Sequence, residues 1–137
     1  MTTTFVDASF LIAVLRKGDA LHGRAMAWQK ALTGSLLTTE YVLVEVFDAM
    51  SVPLLRLAAA SSIAVLRARP AVRVVPSTTS LLNEGIEWFT KHRDKRWSLT
   101  DCISFVVMRR EGIADALTSD HDFEQAGFRA LLRNDPP

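Results

Sequence analysis

Four acidic residues in this chain stand at positions where a fold can gather charge. Asp7 ends the first apolar run of the sequence, and Asp120 ends a late one. Glu45 and Asp101 interrupt the apolar stripes of two predicted helices. Burying a carboxylate is costly unless positive charge meets it. If the four side chains converge, the natural guest is a hard divalent cation, Mg²⁺ or Mn²⁺, bound through oxygen ligands and water.

Each of these acids also has an ordinary structural interpretation. Asp7 at a strand end is also a typical helix cap. Glu45 shares a helix face with Val42 and Ala49, which is equally compatible with a helix-edge ion pair. Asp101 occupies the third position of a helix start, where the helix dipole favours an acid. Taken singly, none of these positions decides between structure and chemistry.

Other candidate ligands and nucleophiles are weaker. Asp120 and Asp122 flank His121 in an Asp-x-Asp pattern after a strand, which is typical of metal sites and also of helix starts. In this setting His121 is more typical of a surface residue than of a ligand, and no His and Cys spacing suits zinc. Cys102 is the only cysteine, so an internal disulfide is impossible and a reducing cytoplasm fits.

Length and composition predict one soluble globular domain. The chain has 137 residues, of which 49% are hydrophobic and 23% charged, enough for a real core. We expect a single domain over residues 1–133 and a frayed tail over residues 134–137. No apolar run reaches the roughly 18 to 20 residues of a membrane helix, and the N-terminus does not read as a secretory signal. A cytoplasmic protein is therefore expected.

The balance of charge predicts a moderately basic surface. The net charge is +1, from sixteen Lys and Arg against fifteen Asp and Glu. Without the four candidate site acids, the rest of the molecule carries +5. A bound cation would offset much of the charge of the site, so the remaining surface suits a polyanion better than an acidic partner.

Hydrophobic periodicity predicts alternating strands and helices. The predicted strands cover residues 3–6, 35–38, 72–75, 115–118 and 128–132. The predicted helices cover residues 9–16, 20–32, 40–50, 53–69, 77–92, 98–110 and 121–126. This alternation favours an α/β fold with three layers, in which helices cover both faces of a mostly parallel sheet. Ligands of such sheets bind beyond the carboxyl ends of the strands, the edge at which Asp7 and Asp120 are expected.

The joint placement of the acids resembles that of the PIN-domain ribonucleases, particularly the VapC-like toxins of bacterial toxin–antitoxin pairs. The resemblance spans nearly the whole chain. It rests on four stretches of sequence, residues 6–9, 38–46, 97–105 and 116–128. The last two stretches are the most specific.

The resemblance implies a PIN-like fold and metal-dependent hydrolysis of RNA. It assigns the catalytic acids, which are Asp7, Glu45, Asp101 and Asp120. Of these, Asp7, Asp101 and Asp120 are the expected ligands of Mg²⁺, with Mn²⁺ as the alternative ion. Asp122, Ser9 and Thr118 are expected to be auxiliary residues that support the site or orient the water around the ion.

The resemblance also directs attention to a basic loop. RNA binding is expected from a set of five residues, namely Lys91, Arg93, Lys95, Arg96 and Trp97. The cations would receive the RNA backbone and Trp97 would stack on a base. A solvated loop with Trp97 packed into the core is the alternative.

Two protein partners are expected, from the resemblance to the toxins and from the composition of two helices. The helices over residues 40–50 and 53–69 are rich in apolar residues, more than one face needs, so we expect a homodimer. A toxin of this kind also implies an antitoxin, a small protein with a DNA-binding segment. We expect it to inhibit by placing an Arg or Lys among the site acids.

Two other functions compete with the toxin. A PIN-fold nuclease that processes RNA outside toxin–antitoxin systems would have the same site. A phosphoacceptor receiver domain also gathers acids at the carboxyl edge of a parallel sheet. It would typically show paired acids after the first strand and a Lys after a late strand, whereas Asp7 stands alone and residues 115–120 contain no Lys.

Overall fold

The computed structural model describes residues 2–137 and contains a five-stranded sheet flanked by helices. The strands are β1 (Thr3–Val6), β2 (Ser35–Thr39), β3 (Val72–Val75), β4 (Asp115–Leu117) and β5 (Arg129–Ala130). Their order across the sheet is β3-β2-β1-β4-β5, and each neighbouring pair is parallel. The predicted α/β fold with a mostly parallel sheet is therefore confirmed.

Seven α-helices and one 3₁₀ turn connect the strands in the described residues. The α-helices are α1 (Ala8–Leu15), α2 (His22–Ala31), α3 (Glu40–Ala49), α4 (Pro53–Ala68), α5 (Thr79–Lys91), α6 (Leu99–Glu111) and α7 (Asp122–Gln125). The helices lie within two residues of their predicted bounds. The last predicted strand, over residues 128–132, is too long, because the chain turns into a 3₁₀ helix at Leu131–Arg133.

The strand order predicts a crevice at one point of the sheet. From β1 the chain builds outwards through β2 to β3, then returns to place β4 and β5 on the other side of β1. Because crossovers between parallel strands are right-handed, this reversal distributes the helices over both faces of the sheet. The crevice lies where the direction reverses, between the carboxyl ends of β1 and β4, and this is where α/β sheets bind ligands.

The core is built on aromatic and aliphatic side chains from β1, α6 and α7. Phe5, Phe105 and Phe123 are fully buried. The ring of Phe105 meets that of Phe123 edge-on, with centroids 4.9 Å apart. Close packing of α5 against α6 depends on Gly85, since a Cβ there would overlap Cγ1 of Ile103. The core therefore holds α6 from both sides, against α5 and against α7.

Two residues of the C-terminal tail contact α2. The indole N–H of Trp28 donates to the backbone carbonyl of Asn134 at 2.8 Å. Arg24 forms an ion pair with Asp135 at 2.9 Å. These contacts place Asn134 and Asp135 against α2, and fraying of residues 134–137 stays a prediction. Within the described residues, no helix is both long and apolar enough to cross a membrane.

The apolar composition of α4 leaves much of that helix uncovered. Only Ala59 and Ile63 of its sixteen residues are buried. Leu54 and Leu57 are 91% and 83% exposed. The expectation of excess apolar surface holds for these two side chains, whereas Ile63 packs inside the core.

Candidate metal-binding active site

Asp7 begins the site at the crevice of the sheet. It follows β1 directly, and its backbone N–H donates to the carbonyl of Leu117 in β4 at 3.1 Å. Asp7 occupies the N-cap position of α1, but its side chain makes no capping hydrogen bond. Instead, Oδ2 accepts hydrogen bonds from the hydroxyls of Thr118 at 2.7 Å and Ser9 at 3.0 Å. The carboxylate is thus held by hydroxyls from two segments, Ser9 in α1 and Thr118 directly after β4.

Two hydroxyl groups connect the Asp7 segment to the Asp120 segment. The Oγ of Ser9 lies 3.2 Å from Oγ1 of Thr118. The backbone N–H of Ser119 donates to Ser9 Oγ at 3.1 Å, and the N–H of Asp120 donates to Thr118 Oγ1 at 3.1 Å. Ser9 and Thr118 therefore fix the relative placement of two acid-bearing loops that are distant in sequence.

Asp101 enters the site from the first turn of α6. Its backbone N–H donates to Ser98 Oγ at 3.0 Å, and the N–H of Ser98 donates to Asp101 Oδ2 at 3.4 Å. This reciprocal capping box starts the helix. Asp101 shares its helix face with Phe105 and Met108, both completely buried. Asp101 therefore takes part in the helix cap, as its position in the sequence suggested. The residue is only 8% exposed, and its carboxylate also belongs to the group of candidate site acids.

Glu45 reaches the site from α3 but differs from the expected placement. The buried face of α3 consists of Val42, Leu43 and Val46, whereas Glu45 and Ala49 are exposed. Glu45 therefore does not interrupt a buried stripe; it lies at the margin of that face. Glu45 is the most exposed of the four candidate site acids.

Burial, and after it the charges of Asp7 and Asp120, raise the pKa of two other acids, Asp101 and Glu45. The pKa of Asp101 is raised to about 7, first by burial and then by the charges of Asp7 and Asp120, with a smaller contribution from Glu45. Burial raises the pKa of Asp7 despite its hydrogen bonds to Thr118 and Ser9. The structure thus brings acids from β1, α6 and the β4–α7 loop into one electrostatic environment.

Glu45 belongs to the same environment. Although the residue is exposed, desolvation by neighbouring protein atoms raises the pKa of its carboxyl group, followed by the charges of Asp7 and Asp120. The charge of Asp48 adds a smaller effect. Asp48 is itself exposed, as expected of a solvated neighbour.

Asp122 and His121 extend the acidic group at the start of α7. Ligand atoms of Asp120, His121 and Asp122 all lie within 4.8 Å of one another. The N–H of Asp122 donates to Oδ1 of Asp120 at 2.9 Å. Partial burial and the charge of Asp120 raise the pKa of Asp122. His121 is exposed, with Nδ1 3.8 Å from the Asp122 carboxylate.

The chemistry of these side chains fits a hard divalent cation. None of the ion pairs formed within residues 2–137 includes Asp7, Glu45, Asp101 or Asp120. Carboxylates that are close to one another and lack a cationic partner need a positive charge to be stable in their ionised form. The candidate ligand atoms of Asp7, Asp101 and Asp120 are all carboxylate oxygens, which suits Mg²⁺ or Mn²⁺ better than zinc.

The basic loop precedes α6 and only part of it is available to a ligand. Lys91, Arg93, Lys95 and Arg96 are exposed. Trp97 is 6% exposed, and its ring stacks on Trp88 with centroids 6.4 Å apart. Trp97 therefore cannot stack on a base without leaving the core, and its assignment to RNA is wrong. A large apolar ring gains more from burial next to α6 than from exposure.

Two side chains complete the account of the site region. Cys102 is buried, and burial followed by the charge of Asp101 raises the pKa of its thiol to about 11. A thiol in this setting is protonated and poorly nucleophilic.

Gln125 accepts a hydrogen bond from the Trp97 indole N–H at 3.0 Å. Nothing in the sequence pattern pointed to Gln125, because its partner lies 28 positions away.

Comparison with known proteins agrees with this geometry. The PIN domain family model matches residues 4–129. The chain belongs to the PIN-domain family. The resemblance noted in the sequence is thereby confirmed, and a receiver domain is excluded.

Relatives within the PIN-domain family are VapC proteins. The chain is 36% identical over 124 residues to the 23S rRNA-specific endonuclease VapC20 from two strains of Mycobacterium tuberculosis, CDC 1551 and H37Rv. The alignment covers 90% of this chain and 94% of VapC20. The crystal structure of M. tuberculosis VapC20, described as a sarcin–ricin loop cleaving toxin, superimposes with a TM-score of 0.83 and 34% identity. That match covers 91% of this chain and 95% of VapC20.

Proposed function

We propose that this PIN-domain protein is a Mg²⁺- or Mn²⁺-dependent endoribonuclease, the toxin of a toxin–antitoxin pair, that cleaves the sarcin–ricin loop of 23S rRNA. One observation carries the metal-dependent chemistry. The carboxyl groups of Asp101 and Glu45 lie within the electrostatic reach of Asp7 and Asp120, and none of the four acids has a cationic partner within the described residues. The substrate is supported by the 36% identity to VapC20 over nearly the whole of both chains.

Asp7, Asp101 and Asp120 would hold the metal ion. When bound, the ion supplies positive charge beside the scissile phosphate and lowers the pKa of water. The three carboxylates come from three separate elements, so the ion would also stabilise the folded site. Without it, their negative charges repel the phosphates of RNA.

Glu45 is suited to a different task in the same reaction. It is exposed at the margin of α3, while the charges of Asp7 and Asp120 raise the pKa of its carboxyl group. A carboxylate with a raised pKa is a better proton acceptor at neutral pH. Glu45 would orient the attacking water and accept its proton.

Ser9 and Thr118 would act through Asp7. Their hydroxyls donate to the same oxygen of that carboxylate, at 3.0 Å and 2.7 Å. Hydrogen bonds of this kind fix the orientation of a ligating carboxylate, and such supporting contacts matter nearly as much as the ligands. Asp122 would support Asp120 through the hydrogen bond between its backbone N–H and the Asp120 carboxylate.

RNA would approach across the loop that precedes α6. Lys91, Arg93 and Arg96 are exposed and make no ion pair within the described residues. Lys95 is exposed and pairs with its neighbour Asp94 at 3.5 Å. These cations would bind the phosphate backbone on the way to Asp101, at the start of the next helix.

Two protein partners complete the proposal. A second copy of the chain would cover the exposed apolar side chains of α4, because surfaces of this kind are typical of interfaces. An antitoxin would silence the enzyme by placing an Arg or Lys among the acids, where a cation gains from the low dielectric and loses part of that gain to its own desolvation. Action on ribosomes would place the protein in the cytoplasm.

A cleavage assay tests the function directly. Purified protein is incubated with an RNA stem-loop of the sarcin–ricin sequence and with a stem-loop of scrambled sequence, in Mg²⁺, in Mn²⁺ and in EDTA. We expect one cut in the sarcin–ricin RNA, none in the scrambled RNA and none in EDTA. Cleavage of both RNAs would refute the substrate, and full activity in EDTA would refute the metal.

A further inference from the structure

A single hydrogen bond connects the loop before α6 to the last residue of α7. The indole N–H of Trp97 donates to Oε1 of Gln125 at 3.0 Å. Trp97 is buried, and its ring meets that of Phe105 edge-on, with centroids 5.0 Å apart. The donor is therefore held rigidly by the core, and the position of Gln125 follows from it.

The two ends of this bond adjoin the two acid-bearing segments. Trp97 immediately precedes Ser98, which caps α6 through the backbone N–H of Asp101. Gln125 ends the helix that starts at Asp122, two residues after Asp120. The hydrogen bond thus connects the chain segment that contains Asp101 to the segment that contains Asp120.

The α7 segment needs such support because it cannot hold its own shape. It has four residues and is followed by a strand of two residues, whereas isolated helices shorter than about 12 residues are marginal in water. Its position depends on tertiary contacts. The ring of Phe123 packs against Phe5 and Phe105, and Glu124 pairs with Arg133 at 3.0 Å. Gln125 is exposed, and its bond to the Trp97 indole is the contact that connects α7 to the loop before α6.

We propose that Trp97 and Gln125 are positioning residues: their hydrogen bond holds α7 against α6 so that the carboxylate of Asp120 stays in the same site as those of Asp7 and Asp101. The inference rests on the proposed metal-dependent function. It predicts that divalent metal affinity depends on a bond in which no metal ligand takes part.

Binding of Mn²⁺ by the RNA-free protein, measured by calorimetry, tests this role without reference to catalysis. Trp97→Phe removes the donor and keeps an aromatic ring, while Gln125→Met removes the acceptor and keeps the chain length. We expect the dissociation constant for Mn²⁺ to rise roughly tenfold or more in each variant, the range typical of lost supporting contacts. The double variant should be no weaker than either single variant, because both remove the same bond.

Trp28→Phe is the matched control. Trp28 is buried to a similar extent, and its indole N–H also donates to a single partner, the carbonyl of Asn134. It lies on α2, which supplies none of the acids. Mn²⁺ affinity of this variant should stay within about twofold of that of the parent protein, so a general effect of replacing a buried Trp is separated from the specific one.

Hydrogen exchange of the metal-free variants gives an independent readout. The amides of Gln125 and Ala126 donate to the carbonyls of His121 and Asp122 within α7. They should exchange faster in Trp97→Phe and Gln125→Met than in the parent or Trp28→Phe, since α7 opens more often. Unchanged exchange at these amides would overturn the proposal even if the metal affinity fell.

The remaining outcomes separate this inference from the proposed function. If the parent binds Mn²⁺ and both single variants bind it within twofold, the positioning role is wrong while the nuclease proposal stands. Losses that multiply in the double variant would also overturn it. If the variants lose affinity as expected but the parent cleaves no RNA, the nuclease proposal fails alone. A parent that binds no Mn²⁺ overturns both.

Discussion

Helices α6 and α4 are both rich in apolar residues, yet the fold treats them in opposite ways. In α6, eight consecutive residues from Asp101 to Met108 are buried. In α4, which is three residues longer, only Ala59 and Ile63 are buried. The helix that carries the candidate site acid Asp101 is enclosed by protein, and α4 leaves Leu54 and Leu57 in solvent.

Under the proposed function, this difference separates chemistry on α6 from association on α4. Enclosure of α6 fixes Asp101 in one place and raises its pKa to about 7, so that a cation is needed to keep it ionised. Exposure of α4 costs the monomer little and supplies apolar area that a partner can cover. The two helices are thus distinguished by their burial and not by their apolar composition.

The largest expected effect is the loss of cleavage in Asp101→Asn on the enclosed helix. The change removes a ligand charge and keeps the shape of the side chain, so the fold should persist. We expect turnover with Mg²⁺ to fall by more than about 100-fold, since even supporting contacts of a metal site are worth 10- to 100-fold. The rate of cleavage of a sarcin–ricin stem-loop is the measurement.

Asp48→Asn is the control for that loss. Asp48 is an exposed acid one turn beyond Glu45 on α3, and its replacement should leave the cleavage rate within about twofold. Unimpaired turnover in Asp101→Asn would remove Asp101 from the site.

The pH dependence of stability is the second prediction. The pKa of Asp101 rises from 3.8 to about 7 on folding. Between these values the native state keeps a proton that the unfolded state has lost, so the metal-free protein should lose stability as pH rises from about 4 to 7. The contribution of Asp101 is on the order of 4 kcal/mol. Urea unfolding in EDTA between pH 4.5 and 7.5 measures this slope.

Replacement of Asp101 by Asn should flatten the slope, because the residue can no longer ionise. Asp94→Asn, in the exposed loop before α6, should leave it unchanged. Equal slopes in the parent and in Asp101→Asn would contradict the raised pKa. Addition of Mn²⁺ should reverse the trend, because the ion binds the ionised form and its affinity increases with pH.

The third prediction concerns the contact that encloses α6. Gly85→Ala places a methyl group on Cγ1 of Ile103, a buried side chain of α6. We expect the free energy of unfolding to fall by about 1–3 kcal/mol, as is typical of overpacking. Thermal or urea unfolding measures the loss, and Gly23→Ala, where a Cβ would meet open space, is the control. Stability equal to that of the parent would mean that α5 can move away from α6 freely.

The smallest effect on the free energy of unfolding is expected on the exposed face of α4. Leu57→Glu changes a side chain that is 83% exposed, so monomer stability should change by no more than about 0.5 kcal/mol. Association of two copies should be lost, because the charge would be desolvated in the interface. Sedimentation equilibrium of parent and variant distinguishes the two states, and a parent that is monomeric at tens of micromolar would refute the interface.

Ile63→Ala sharpens the contrast within the same helix. Ile63 is 4% exposed, and its truncation should cost about 2–5 kcal/mol of monomer stability. A cost as small as that of Leu57→Glu would mean that α4 does not pack on the core through this residue.

The sequence alone determined the alternation of elements, the parallel sheet and the family. Apolar periodicity is a local property, so Pro53 and the Ser98 capping box marked helix starts at their observed places. The motifs at residues 6–9 and 116–128 contained two acids at strand ends, and the strand order then brought those ends together. Local sequence signals and the topology rules of parallel sheets were sufficient to predict the sheet and the convergence of these two strand ends.

Only the tertiary structure decided which side of each element was buried. The sequence left two placements open for Glu45 and for Trp97, and the structure places Glu45 at the exposed margin of α3 and the indole of Trp97 in the core. The Trp97–Gln125 bond and the attachment of the tail to Trp28 were likewise absent from any local pattern. The physical reason is that burial depends on contacts between residues far apart in the chain, and these form only after the helices have packed on the sheet.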